Sequence, residues 1–589
     1  MASLREILSD RVSECFAASG YDSRFGPVTV SNRPELGQFQ CNGALAAAKA
    51  HATNPRQIAT EVSEKIAALP MIADVSIAGP GFINISLLDS YIAEHATSMS
   101  RENLGIETPA KPAKVIVDYG GANIAKPLHV GHLRAAIIGE ALKRLGRAIG
   151  HDVTGDVHLG DWGLNMGMVI SEIRRRHGDL PYFAENAKPP FPSESPVTAV
   201  DLEEIYPTAS ARCKQNPDEL EAAREVTGKL QKGHPGYTAL WQHIHDVSVA
   251  DLRADYEKLN IEFDLWLGES DTQDRIPALI ESLTQAGFAQ QSQGALVVFV
   301  DEPDDTRELP PLILLKTDGA ALYGTTDLAT IVQRMDDFNP DLILYVVDKR
   351  QSDHFVQVFR AARKTGIVDA ERTKLEHIGF GTMNGTDGKP FKTRDGGIMK
   401  LKDLIGMLVD KALEHMSGVD VARDYDDAEK AGIARMVGVA ALKFGDLSNQ
   451  PAKDYIFDLD RFASFEGKTG PYLLYTAVRI KSILRKAVEQ GCAVGPFVAP
   501  QSAAERDVLL KLAALPDQLQ TAWDQRAPHF LCDYVYELSS LFSGFYRDHH
   551  ILREPDRARQ ASWLELSRTT LAAIELVTGI LGIEIPDRM

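Results

Sequence analysis

The sequence predicts an α/β protein. A Rossmann-like, doubly wound parallel-sheet domain is expected between a small N-terminal α+β domain and a C-terminal all-α helical bundle. Three observations carry this reading. Apolar strand-like runs alternate with helical segments from residue 113 to about 425, the pattern of a parallel sheet. One run, Val115–Val117, leads through a loop with Gly120, Gly121 and Pro127 into a helix, which makes a βα unit. Beyond about residue 430 the strand signal vanishes and amphipathic helices take over. The chain has 589 residues, and one core rarely grows past about 250 to 300. Domains are therefore expected at 1–105, 106–430 and 431–589.

The elements are read in order. Helical periodicity covers Leu4–Ala18, a second helix covers Ala44–Ala52, and Gly79-Pro80-Gly81-Phe82-Ile83-Asn84-Ile85 reads as a strand. Glu102–Pro112, with Pro109 and Pro112, reads as a linker. Strands are expected at Val115–Val117, Leu296–Val300, Leu312–Leu315 and Leu342–Val347, all in one parallel sheet. Ligands bind such sheets at the carboxyl ends of the strands. Residues 180 to 250, first rich in Pro, Glu and Lys and then helical, read as an insertion between the halves of the sheet. Helices follow from Lys468 onward and over Ala561–Leu581.

Composition limits the class. With 44% hydrophobic and 25% charged residues the chain reads as soluble and globular. It has no run of about 18 apolar residues and no signal-peptide core, so neither a membrane span nor secretion is expected. The five cysteines are scattered without a Cys-x-x-Cys pair, which argues against structural zinc and for a reducing cytoplasm. The net charge of −19 argues against non-specific nucleic-acid binding. Any RNA contact needs local basic surface, such as Arg174-Arg175-Arg176 or the helix with Arg479, Lys481, Arg485 and Lys486. A solvated helix face is the blander reading of each.

Residues Asn123 to Arg134 read Asn-Ile-Ala-Lys-Pro-Leu-His-Val-Gly-His-Leu-Arg. His129 and His132 open a helix whose apolar side is Leu133, Ile137, Ala141, Leu145 and Ile149. A helix N-terminus after a strand and a glycine loop is an anion site. Gly131 admits close approach of a ligand to the backbone, and two imidazoles there can donate to phosphate oxygens. The segment resembles the histidine signature of class I aminoacyl-tRNA synthetases and related nucleotidylyltransferases. A second loop, Gly388 to Gly397, carries Lys389, Lys392 and Arg394 between glycines, suited to closing over a triphosphate. Gly467-Lys468-Thr469 is not a P-loop, since position 462 is Phe where that motif needs Gly.

Both motifs together, and the closing segment Leu581 to Met589, resemble arginyl-tRNA synthetases from end to end. The resemblance implies that Phe391-Lys392-Thr393-Arg394 replaces the usual lysine-serine loop and that Lys126 supplies the missing charge. It implies catalytic roles for Lys126, His129, His132, Lys392 and Arg394. ATP contacts are implied at His129, Gly131, His132, Met383 and Lys392, with Mg2+ arriving on ATP and no dedicated metal site. Two carboxylates and a phenol suit a guanidinium, and the resemblance places Asn123, Glu269, Tyr323, Asp327 and Gln351 around arginine. Spacing alone reads Tyr323 and Asp327 as helix-start residues. The implied tRNA(Arg) contacts are Asn42 in an N-terminal additional domain touching the D-loop, and Tyr472, Tyr475, Tyr546 and Met589 in a helical anticodon-binding domain. From spacing alone, Tyr472 and Tyr475 fit a pair of half-buried helix tyrosines as well as an exposed pair that stacks on bases. Leu474, where the family usually has Gln, and Leu164-Asn165-Met166 depart from the family pattern. The expected activity is ligation of L-arginine to tRNA with ATP, by a monomer. The rivals are another class I synthetase, disfavoured by the paired acids, and a silent synthetase-like RNA-binding protein, disfavoured by the retained histidines.

Overall fold

In the computed structural model, residues 3–184, 186–317, 319–385, 387–389, 391, 399–417 and 425–589 are described. The chain divides into two units. One holds residues 1–109, 464–579 and 584–589; the other holds 110–463 and 580–583.

The second unit is built on a four-stranded, all-parallel sheet. Its strands run Lys374–Phe380, Leu342–Asp348, Lys114–Asp118 and Asp152–Asp156 in spatial order. The two central strands read as continuous apolar runs because both their faces are covered: Val115, Val117, Ile343 and Leu344 are buried. The edge strands, Asp-Val-Thr-Gly-Asp and Lys-Leu-Glu-His-Ile-Gly-Phe, carry polar residues and are not legible as strands from pattern alone. Strands 114–118 and 342–348 are neighbours in the sheet but far apart in sequence. The crevice at their carboxyl ends is where this topology binds ligands.

Two expected members of that sheet lie elsewhere. Ala295–Val298 and Leu312–Leu315 join Ala289–Ser292 in a separate antiparallel sheet. The reason is the two-residue turn Gln293-Gly294, with φ of 48° and 83°. Positive φ at both turn positions is the primed hairpin geometry, which folds the next strand back antiparallel. The insertion forms helices Ala199–Gln215 and Pro217–Gln231, and a third helix, Pro235–Lys258, that outruns the expected boundary. The first two pack on helix Leu164–Arg176, where Met168, Ala209 and Ala223 are buried together.

In the first unit, a four-stranded antiparallel sheet (28–30, 39–41, 82–87, 72–78) is faced by helices Leu4–Ala18, Gly43–His51 and Pro55–Ala67, while helix Asp89–Arg101 packs against Ala503–Ala513. A helical bundle, Gly470–Glu489, Ala503–Ala513, Leu515–Asp524, His529–Asp548 and Arg557–Ile580, completes it. Charge pairs join the two parts: Arg506 grips both oxygens of Asp89 at 2.5 Å, and Ser3 and Arg5 share Asp517 at 2.8 and 2.7 Å. The fold is α/β with an N-terminal α+β domain and a C-terminal helical bundle, as the sequence predicts.

Candidate active site

The histidine segment sits at the carboxyl end of strand 114–118. Helix Val130–Ala148 starts there because its apolar residues at helical spacing, Leu133, Ile137, Ala141 and Leu145, are all buried. His129 is the N-cap residue, and its Nδ1 accepts from the Gly131 N–H at 3.1 Å. His132 returns the favour: its Nδ1 accepts from the His129 N–H at 3.2 Å. The rings stack with centroids 3.9 Å apart. A Cβ at position 131 would come within 2.9 Å of His129 Nδ1. Gly131 is therefore required by the imidazole itself, a reason that spacing did not show.

Burial, with Lys126 adding like charge, lowers the His129 pKa. Burial, then His129 and Lys126, bring His132 down to about 3. Both rings are neutral at pH 7. Because each Nδ1 accepts a backbone N–H, each ring proton sits on Nε2, so each ring keeps one outward donor. Lys126 follows Ala125, a non-glycine residue at φ 61°. That conformation is held by a bond from the Ala125 N–H to Ser248 Oγ at 3.0 Å. Upstream, the Tyr256 hydroxyl donates to the Gly120 carbonyl at 2.5 Å. Both braces come from the helix that closes the insertion.

Lys392 and Arg394 lie outside the described residues. The segments flanking them are fixed beside the histidines. The Val130 N–H donates to Met399 O at 3.1 Å and the Leu401 N–H to Leu128 O at 2.9 Å. On the other side the Phe391 N–H donates to Met383 O at 3.2 Å. Met383 is itself buried and pairs with Tyr455.

The candidate arginine residues gather on neighbouring segments. The Glu269 N–H donates to Leu159 O at 3.0 Å, while Asn123 pairs with Gly160. A Cβ on Gly160 would lie 2.3 Å from Asn123 Oδ1, so glycine makes room for that amide. Burial above all, with the carboxylates of Asp161 and Asp327, pushes Glu269 up to about 7, against the pull of His158. Asp327 and Tyr323 lie one turn apart on helix Tyr323–Asp337. Asp327 Oδ2 meets His354 Nε2 at 2.5 Å, and the Tyr323 ring lies tilted against that of His354 with centroids 4.9 Å apart. Gln351 is exposed at the N-cap of helix Ser352–Lys364 and makes no cap bond.

Spacing gave no sign of His354, nor of the buried Arg334 on the helix that carries Asp327. Arg334 donates to Asp118 at 2.6 Å and to Asp156 at 2.7 Å. It stands two helical turns beyond Asp327 and ties their helix to the ends of two strands. Alternating acids at strand ends facing an arginine on a following helix would have been the signal.

In the other unit, Asn42 is exposed at a helix N-cap and makes no side-chain cap bond. Tyr472 is half-buried, its hydroxyl 3.4 Å from Ser543 Oγ, whereas Tyr475 is 45% and Tyr546 37% exposed. Arg479 lies over both exposed rings, at 4.5 and 5.8 Å. The terminal Met589 is half-buried. The other basic run is largely spent locally: Arg175 and Arg176 bind Glu172 at 2.5 and 2.8 Å.

A neutral histidine pair at a helix start, on the carboxyl edge of a parallel sheet with a helical bundle in the same chain, is the arrangement expected of a class I aminoacyl-tRNA synthetase. Comparisons agree. The class I (R) tRNA synthetase catalytic domain matches residues 96–459, the DALR anticodon binding domain 473–589, and the arginyl tRNA synthetase N terminal domain 2–87. The chain is 51% identical over 584 residues to the arginine–tRNA ligase of Alkaliphilus oremlandii, covering 99% of each. It is 48% identical to that of Agathobacter rectalis, covering 100% of each. The arginyl-tRNA synthetase structure from Thermus thermophilus shares the fold at TM-score 0.78 and 23% identity, covering 100% of both chains. The chain belongs to the arginine–tRNA ligase family.

Proposed function

We propose that this protein activates L-arginine with ATP and transfers it to the 3′-terminal adenosine of tRNA(Arg). The observation that supports this is that Glu269 lies within electrostatic reach of Asp327 and is bonded to Leu159, next to the Gly160 that pairs with Asn123 of the histidine segment. An arginine carboxylate oxygen attacks the α-phosphorus, the bond to the β-phosphate oxygen breaks, and pyrophosphate leaves. The Nε2–H donors of His129 and His132, the Lys126 ammonium, and Lys392 or Arg394 stabilise the charge that builds on the phosphates. The terminal ribose hydroxyl, by class I analogy the 2′-hydroxyl, then attacks the arginyl carbonyl and AMP departs.

Glu269 and Asp327 take the guanidinium, with Asn123, Tyr323 and Gln351 completing its binding. Mg2+ is expected with the ATP phosphates; among the described residues no cluster of three His, Cys, Asp or Glu side chains is placed to hold a metal, and no step is assigned to one. Residues 1–105 would meet the tRNA D-loop through Asn42. Residues 106–430 would carry the chemistry, and residues 431–589 would meet the anticodon through Tyr472, Tyr475, Tyr546 and Met589. Among the described residues no helix is long and apolar enough to cross a membrane. A reducing cytoplasm is the reading that the scattered cysteines support, and a monomer is the expected state. Pyrophosphate exchange tested against each amino acid, with and without tRNA, decides it: exchange specific to arginine is expected. Exchange with a different amino acid, or none under any condition, would remove the assignment.

A further inference from the structure

The insertion carries its own link to the chemistry. Helix Ala199–Gln215 presents Glu203 and Tyr206, three residues apart and so on one face. Glu203 takes two lysines: Oε2 to Lys400 Nζ at 2.7 Å and Oε1 to Lys402 Nζ at 2.8 Å. Those lysines flank Leu401, whose N–H is bonded to Leu128 O just before the histidines, and Lys400 itself bridges to His129. The helix is thus moored to the histidine loop. One turn on, Tyr206 meets that loop from the same side: Lys126 Nζ lies 4.2 Å from its ring centroid. Among the described residues no carboxylate pairs with Lys126, although its charge reaches both histidines.

The two kinds of contact have different consequences. A carboxylate occupies the N–H donors of an ammonium and cancels its charge. An aromatic face holds the ammonium in place and leaves those donors and that charge for another partner. Lys400 and Lys402 are therefore spent on structure, and Lys126 is held but still available to a phosphate.

We propose that Tyr206 is a positioning residue for adenylate formation, acting through Lys126, and that orienting this lysine is a function of the insertion. The proposal rests on the functional reading above. Its test uses the full chain in pyrophosphate exchange with saturating arginine and tRNA(Arg) and varied ATP. Tyr206→Leu is expected to lower kcat/KM for ATP about 3- to 30-fold, the range of a cation–π contact. The arginine KM should stay at its wild-type value. Tyr206→Phe, which keeps the ring face, should restore the rate. In a Lys126→Met background, Tyr206→Leu should cost nothing more. Wild-type kcat/KM in Tyr206→Leu would overturn the proposal. So would a full additional loss on top of Lys126→Met, or a Tyr206→Phe defect as large as that of Tyr206→Leu. A wild-type chain that fails to use arginine would remove the functional reading instead.

Discussion

Glu269→Gln should make the protein more stable and a poorer user of arginine, and both effects follow from one number. The Glu269 pKa is raised from 4.5 to about 7, first by burial and then by Asp161 and Asp327. At about 1.36 kcal/mol per pH unit, that displacement is worth up to about 3 kcal/mol. The sign is that of a group whose folded pKa lies above its unfolded one. Below pH 4.5 both states keep the proton and the group is neutral to stability. Between 4.5 and 7 the unfolded chain releases the proton while the folded chain holds it, so stability falls as pH rises. Glutamine cannot ionise. The variant should therefore match wild type near pH 4 and gain up to about 3 kcal/mol by pH 8. Urea unfolding across that range measures it.

The same carboxylate must ionise to take a guanidinium. The arginine KM of wild type should rise about tenfold from pH 8 to 6 as Glu269 gains its proton, and Glu269→Gln should lose this dependence. At pH 8 the variant forfeits a charged hydrogen bond worth about 2 to 3 kcal/mol, or roughly 30- to 150-fold in arginine KM. An unchanged arginine KM, or a stability gain as large at pH 4 as at pH 8, would refute the reasoning. The first would place the guanidinium elsewhere; the second would trace the effect to packing and not to charge.

His132→Ala removes an Nε2–H donor at the helix start and the acceptor of the His129 N–H. The rate of adenylate formation should fall about 10²- to 10³-fold with little change in arginine KM, as read in pyrophosphate exchange. Arg334→Met leaves Asp118 and Asp156 buried without their cation. It should cost about 3 to 5 kcal/mol in urea unfolding, with partial recovery when Asp118→Asn is added. Tyr475→Ala takes away an exposed ring that stacks with Arg479. It should weaken tRNA use by about 1 to 3 kcal/mol, the range for base stacking, seen as a raised tRNA KM at unchanged arginine KM. Exchange by the wild-type chain should be near background with arginine and ATP alone and rise on adding tRNA(Arg); robust exchange without tRNA would rule out that coupling.

What the sequence determined by itself is what short-range pattern encodes. The helix after strand 114–118 was legible because its buried residues recur at helical spacing and glycines precede it. Its N-terminus places the histidines, so their position at the helix start was legible too. The buried central strands announced themselves as unbroken apolar runs. Strands 152–156 and 374–380 did not, since an edge strand needs less apolar sequence and its pairing is set by the neighbour it meets. The turn at Gln293-Gly294 held the information that strand 295–298 folds back on strand 289–292, although alternation with helices suggested the parallel sheet.

The tertiary structure decided what depends on residues far apart in sequence. It brought Glu269 and Asp327 within electrostatic reach and raised one of them to near neutrality, which no local pattern encodes. It spent Arg175 and Arg176 on Glu172, where sequence alone left them as an RNA-binding candidate. It fixed the proton of each histidine on Nε2 through backbone donors that only the cap geometry supplies. The physical reason is common to all three. Side-chain identity and spacing set what a residue can do, but its charge state and partners depend on burial and on groups that only the folded chain brings near.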